Sequence, residues 1–208
     1  MPPQLKTTPR KRPRQERSRA TVDTILAATA RVLVKRGFDN LTTNAVADAA
    51  GVSIGSLYQY FPNKGALVAA LIEHHIEDLT GSVLSELTRV ARLPVAAAVR
   101  AVIELMITVH GREPELHRVL TEEVPRVGRM AKLRELEAIS HRMVAGLLAA
   151  RRDELAIQDP DISAFVLVSA IEAITHRAVL FAPERLRDPR LVDEACTLVC
   201  RYLGVAQG

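Results

Sequence analysis

The chain has 208 residues, 48% of them hydrophobic and 25% charged, which is ordinary globular usage and enough to bury a sizeable core. Its two cysteines, Cys196 and Cys200, exclude a disulfide framework, and its seven aromatics leave most of the apolar content to Leu, Ala, Val and Ile. The net charge of +4 is uneven: residues 1–19 carry +6 and the remainder −2, so the basic character belongs to a leader that is either a solvated arm or a contact for a polyanion.

Four of the eleven prolines fall in residues 2–13, and residues 1–19 are expected to be a disordered basic arm. The other seven prolines lie between helical patterns or at their starts, where the ring fits a first turn but breaks an interior. No stretch alternates long enough for a strand, so the fold is expected to be all-α. The stretch from Ile25 to Val34 is interrupted by Thr29 and Arg31 and lacks a cleavage site for a secretory signal. Val95–Val109 carries Arg100 and Glu104, so no membrane span is expected and the location is expected to be cytoplasmic.

The first helix should start near Ser18 or Thr21, repeat Val22, Ile25, Leu26, Thr29, Val32 and Leu33 on one face, and stop at Gly37. Two short helices follow at 42–50 and 53–60, then a longer one from about Asn63 to Leu79. Further helices are expected near 94–110, 114–121, 130–155, 161–181 and 188–203. The segment 162–181 has only Glu172 and Arg177 as formal charges, and a helix apolar all round needs cover on more than one side. With the stripe Val192, Ala195, Cys196, Val199, Tyr202 and Leu203 on the last helix, it is expected to form a four-helix interface with a second copy.

The segment from Leu41 to Lys64 suits a tight helix-turn-helix. Thr42 caps a helix with Val46, Ala47 and Ala50 inward; Gly51 supplies the turn, and Ser53 caps the next helix. Leu57 and Phe61, four residues apart, hold this second helix to the core. Ser53, Ser56, Gln59 and Tyr60 are left facing outward, with Tyr58 near the edge and Lys64 opening the next helix. Hydroxyls, a lysine and helix-start N–H groups suit phosphates, and Gln59 can read adenine bidentately in a major groove. Gly55 removes a side chain where the backbone must approach DNA closely.

Residues 21–71 resemble the DNA-binding domain of the tetracycline-repressor (TetR) family, through Ile25-Leu-Ala-Ala, Arg36-Gly-Phe, Leu41-Thr-Thr, Ala47-x-x-Ala-Gly-Val-Ser, Gly55-x-Leu-Tyr-x-Tyr-Phe and Lys64-x-x-Leu67. The resemblance implies a three-helix helix-turn-helix domain over 20–66 and a helical ligand-binding and dimerisation domain over 67–208. It implies phosphate contacts from Thr43, Ser53, Tyr58, Tyr60 and Lys64, and base readout near Gly55, Ser56 and Gln59. Many relatives have Lys where this chain has Ile54. It also implies a homodimer on an operator in double-stranded DNA, released when a small-molecule effector tilts the helix at 63–79.

Met106, His110, His117, His141, Met143 and Glu172 are the polar or polarizable groups in otherwise apolar later helices. They are candidate effector contacts, though each also reads as core filler or a satisfied surface group. Arg100 and Glu104 can pair within one helix, as can Glu172 and His176. Glu73-His74-His75-Ile76-Glu77-Asp78 places His74 and Asp78 on one face without a third ligand, so it reads as a solvated helix and no metal is expected. Cys196 and Cys200 share a face and read as small buried residues at an interface. No catalytic motif is present, so neither an enzyme nor a cofactor is expected. The rival readings are a transcriptional activator and a helical small-molecule-binding protein or enzyme that ignores DNA.

Overall fold

The computed structural model describes residues 16–127 and 130–206, all of whose regular structure is helical. The helices are α1 (Glu16–Arg36), α2 (Thr43–Ala50), α3 (Ile54–Tyr60), α4 (Lys64–Val90), α5 (Val95–Arg112), α6 (Pro114–Val127), α7 (Met130–Ala149), α8 (Pro160–Phe181) and α9 (Pro189–Leu203). Residues 1–15 of the basic arm lie outside the described residues, while Glu16–Arg19, expected in the arm, form the first turn of α1.

The chain divides into two compact units, residues 1–76 with 115–132 and residues 77–114 with 133–208. In the first, α1 packs along α2 and α2 meets α3. Ile25, Leu33, Val46, Leu57, Phe61 and Leu67 are fully buried there. Thr29, also fully buried, donates its hydroxyl to the Ile25 carbonyl at 2.8 Å, which satisfies a polar group that the apolar face would otherwise strand. In the second unit, α5 packs on both α8 and α9 around Ile103, Ile107, Leu148, Leu167, Cys196 and Val199.

Two boundaries differ from expectation. The helix expected to end near Leu79 continues as α4 through Gly81 to Val90, because Leu87 and Val90 bury apolar surface that offsets the roughly 1 kcal/mol cost of a helical glycine. The expected helix at 130–155 stops at Ala149 and turns through a short 3₁₀ segment, Arg152–Glu154. There Arg151 donates to the carbonyls of Leu93 (2.6 Å) and Ala91, tying the end of α7 to the α4–α5 joint. Gly204 ends α9 with φ +72°, and a Cβ there would overlap that of Ala156, whose N–H bonds the Leu203 carbonyl at 2.8 Å.

The stripe on α9 is corrected. Ala195, Cys196, Val199 and Leu203 are buried in the second unit's own core, since a strongly one-sided helix puts its apolar face against the nearest cover, here α5. Among the described residues of the second unit, the large apolar groups left outside are Ile162, Phe165, Val166 and Phe181 on α8 and Leu198 and Tyr202 on α9, with Phe181 72% exposed. Among the described residues, α8 is also the one helix long and apolar enough to cross a membrane by length and composition, whereas its Ser163, Ala164, Leu167, Thr175, Ala178 and Val179 are buried.

Candidate nucleic-acid interface

Local capping builds the helix-turn-helix. The Thr42 hydroxyl accepts the Ala45 N–H at 3.2 Å and starts α2. Gly51, at φ +67°, ends it: the Gly51 and Val52 N–H groups return to the carbonyls of Asp48 and Ala47, a closure that needs a residue without a Cβ penalty. The Ser53 hydroxyl accepts the Ser56 N–H at 3.1 Å and lies 2.8 Å from the Ser56 hydroxyl, so both serines are tied together at the start of α3.

Along α3, Leu57 is fully buried and Phe61 closes the helix by donating its N–H to the Leu57 carbonyl at 2.9 Å. Ser53, Gly55, Tyr58 and Gln59 are exposed, and Ser56 is half-buried. The Tyr58 hydroxyl lies 3.1 Å from the Thr43 hydroxyl, bridging α2 and α3 on the exposed side. A Cβ on Gly55 would meet nothing closer than the Ser53 hydroxyl at 3.9 Å. Among the described residues, therefore, no neighbour crowds a side chain out of this position. Ile54 stands 38% exposed beside it.

Two expected contacts have other partners. Tyr60 is half-buried rather than outward, its hydroxyl donating to Ser18 on α1 at 3.4 Å and its ring tilted against Phe61. We therefore expect Tyr60→Ala to lower stability by about 1–3 kcal/mol, the usual cost of removing a packed side chain, with Tyr60→Phe losing much less. Denaturant unfolding of both variants checks this, and an unchanged midpoint for Tyr60→Ala would restore the outward assignment. Lys64 donates from Nζ to the carbonyls of Phe38 and Asp39, both at 3.0 Å, and sits 4.8 Å from the Phe38 ring centre. Its ammonium clamps the α1–α2 loop, with at most one N–H left for a phosphate. Sequence spacing gave no sign of this pairing across 25 residues.

The six candidate effector contacts are divided between the two units. His117 lies in the first unit, where its Nδ1 is 3.0 Å from Nε2 of His75 on α4. His75 thus turns inward while His74 and Asp78 remain exposed. The other five lie in the second unit. His141 bonds Asp161 at 2.8 Å, as a surface pair joining α7 to α8. His110 is buried, with Nδ1 2.7 Å from the Met106 carbonyl, and its ring meets that of His176 edge-on at 5.3 Å. Met143 is half-buried on α7. Burial and the nearby Glu137 charge hold the Glu172 carboxyl above its usual range, and burial draws His176 below its own against the opposing pull of Glu137. Arg100 pairs with Glu104 at 3.6 Å and more closely with Asp193 on α9 at 2.9 Å. Cys196 and Cys200 are buried in the chain's own core instead of an interface, and burial pushes both thiols up, away from the reactive thiolate.

Residues 25–71 match the family described as bacterial regulatory proteins, tetR family, and residues 94–203 match the tetracyclin repressor-like C-terminal domain. Among curated proteins, the nucleoid occlusion factor SlmA of Actinobacillus pleuropneumoniae serotype 5b (strain L20) is 35% identical over 85 residues, 41% of either chain. SlmA of Haemophilus ducreyi (strain 35000HP / ATCC 700724) is 34% identical over 87 residues, 42% of either chain. The match thus spans about two-fifths of these relatives' length. Among solved structures, a TetR-family transcriptional regulator of Mesorhizobium loti MAFF303099 superposes with a TM-score of 0.76 at 17% identity, covering 91% of this chain and 98% of that one. A complex of SmeT with triclosan gives 0.59 at 22% identity, covering 88% and 90%. With one family match spanning more than half of its residues and a second on its helix-turn-helix, the chain belongs to the TetR family of bacterial regulatory proteins.

Proposed function

We propose that this regulator is a cytoplasmic repressor that binds a palindromic operator as a homodimer and releases it when a small, largely apolar effector binds. The observation that carries the reading is α3 itself. It is held down by Leu57 and Phe61 while Ser53, Gly55, Tyr58 and Gln59 stand open to solvent beside Thr43. In this reading residues 20–66 read DNA: Thr43, Ser53 and Tyr58 serve the phosphates, Lys64 adds its one remaining N–H, and Gly55, Ser56 and Gln59 face the bases. Residues 67–208 dimerise and hold the effector.

The exposed Ile162, Phe165 and Val166 of α8 and Leu198 and Tyr202 of α9 support dimerisation, since large apolar groups left open on neighbouring helices commonly mark a protein–protein interface. Met106, His110, Met143 and Glu172 of the second unit are the proposed effector contacts, few polar anchors in an apolar setting. SmeT, a relative in fold, has been solved with triclosan, a small aromatic molecule, which fits an effector of that kind. The effector acts only through a difference in affinity between the DNA-binding and released states. No catalytic role is proposed for any residue.

The test is selection of bound duplexes from a random pool by the purified chain, followed by titration at several salt concentrations. The expected site is a palindrome with half-site centres about 34–36 Å apart. The logarithm of the affinity should fall with that of salt by about 0.9 per neutralised phosphate. Failure to enrich any duplex at low ionic strength would overturn the proposal in favour of a small-molecule-binding protein without DNA.

A further inference from the structure

An open cleft of about 560 Å³ lies between α1 and α2, on a flank of the first unit that the recognition helix does not line. Its α1 wall carries Arg31, Lys35 and Arg36, and its α2 wall carries Thr42, Asn44 and Asp48. Three cations thus oppose a single carboxylate. Arg31 is positioned by donating to the Ala49 carbonyl at 3.0 Å, at the far end of α2. One turn further along α1, Lys35 and Arg36 are exposed and form no ion pair among the described residues. They lie toward the start of α2, where the first N–H groups point outward and the helix dipole adds positive potential.

The cleft adjoins the proposed DNA-reading residues along the chain. Thr42 and Asn44, on its wall, flank Thr43 in the chain, and Thr43 is the residue whose hydroxyl meets Tyr58. Arg31 and Lys35, four residues apart, are separated by about 6 Å along the helix axis. Successive phosphates of one strand advance about 3.4 Å along the duplex axis, so the wall is long enough for more than one of them.

We propose that this cleft receives phosphates of the DNA backbone just outside the major groove entered by α3, with Lys35 and Arg36 as the principal contacts and Arg31 as fixed background charge. The proposal rests on the DNA-binding reading above and adds a second, sequence-independent foothold to it. Base preference is set by α3, and the cleft sets affinity and its dependence on salt.

The experiment uses the full chain and a duplex carrying the selected site, either with long flanks or trimmed to the site's edges. Three proteins are titrated across salt: the parent, the double variant Lys35→Ala with Arg36→Ala, and the charge-keeping pair Lys35→Arg with Arg36→Lys. On the long duplex, the alanine pair, present in both protomers, should reduce the log–log salt slope by about 2–4, leaving base preference and melting temperature unchanged. The charge-keeping pair should retain the parental slope. On the trimmed duplex, the parent should fall to the slope of the alanine pair. An alanine pair with the parental slope, or a parent indifferent to trimming, would overturn the cleft while leaving DNA recognition by α3 intact. A parent that binds no duplex at all would overturn both.

Discussion

Phe61→Ala is expected to unfold the N-terminal unit under conditions in which the parent is folded, and to abolish DNA binding with it. The ring is the largest of the fully buried side chains and stands at the C-terminal end of α3. Its removal takes away the buried ring and leaves a cavity that neighbouring helices only partly close, at a cost of about 3–5 kcal/mol. Whole domains are stable by only about 5–15 kcal/mol, so the loss consumes much of what a small helical unit has. Because α3 is a mere seven residues long, it has too few internal hydrogen bonds to persist without this anchor and Leu57. Denaturant unfolding followed in parallel with DNA binding should show the two lost together. A variant that unfolds like the parent would mean that α3 is held by something other than its own apolar face.

Gln59→Ala should do the opposite, sparing the fold and damaging recognition. The side chain is exposed on α3, and substitutions at such positions usually change stability by no more than about 0.5 kcal/mol. If the amide makes a bidentate contact with one base, its loss costs about 1–3 kcal/mol of discrimination, a roughly 5- to 150-fold fall in affinity. That fall should be confined to the operator position it reads. Competition binding against operators changed one base pair at a time separates the cases. A loss spread evenly over every sequence would make Gln59 a backbone contact and move base reading elsewhere on α3.

The helix-turn-helix was legible before any coordinates because its determinants are local. A threonine cap, a left-handed glycine and a serine cap each act within a few residues of where they stand, and Leu57 with Phe61 declares its buried face by spacing alone. What escaped the sequence depends on partners far along the chain. The Tyr60 hydroxyl finds Ser18 across 42 residues, and His75 finds His117 across the same separation. The apolar stripe of α9 was visible as a stripe, but periodicity cannot say whether the chain's own α5 or a second copy will cover it. The end of α4 was misplaced because a glycine flanked by hydroxyl residues looks like a turn until the burial of Leu87 and Val90 is known.

The lysine that opens α4 has a consequence for how such a regulator is controlled. With its ammonium seated on two carbonyls of the α1–α2 loop, a rotation of the beginning of α4 either breaks these bonds or carries that loop along. The reading head then behaves as one stiff tool on a handle. Under the proposed function, a push on the handle changes how often DNA is gripped and not which letters are recognised, which would let responsiveness and sequence choice evolve separately.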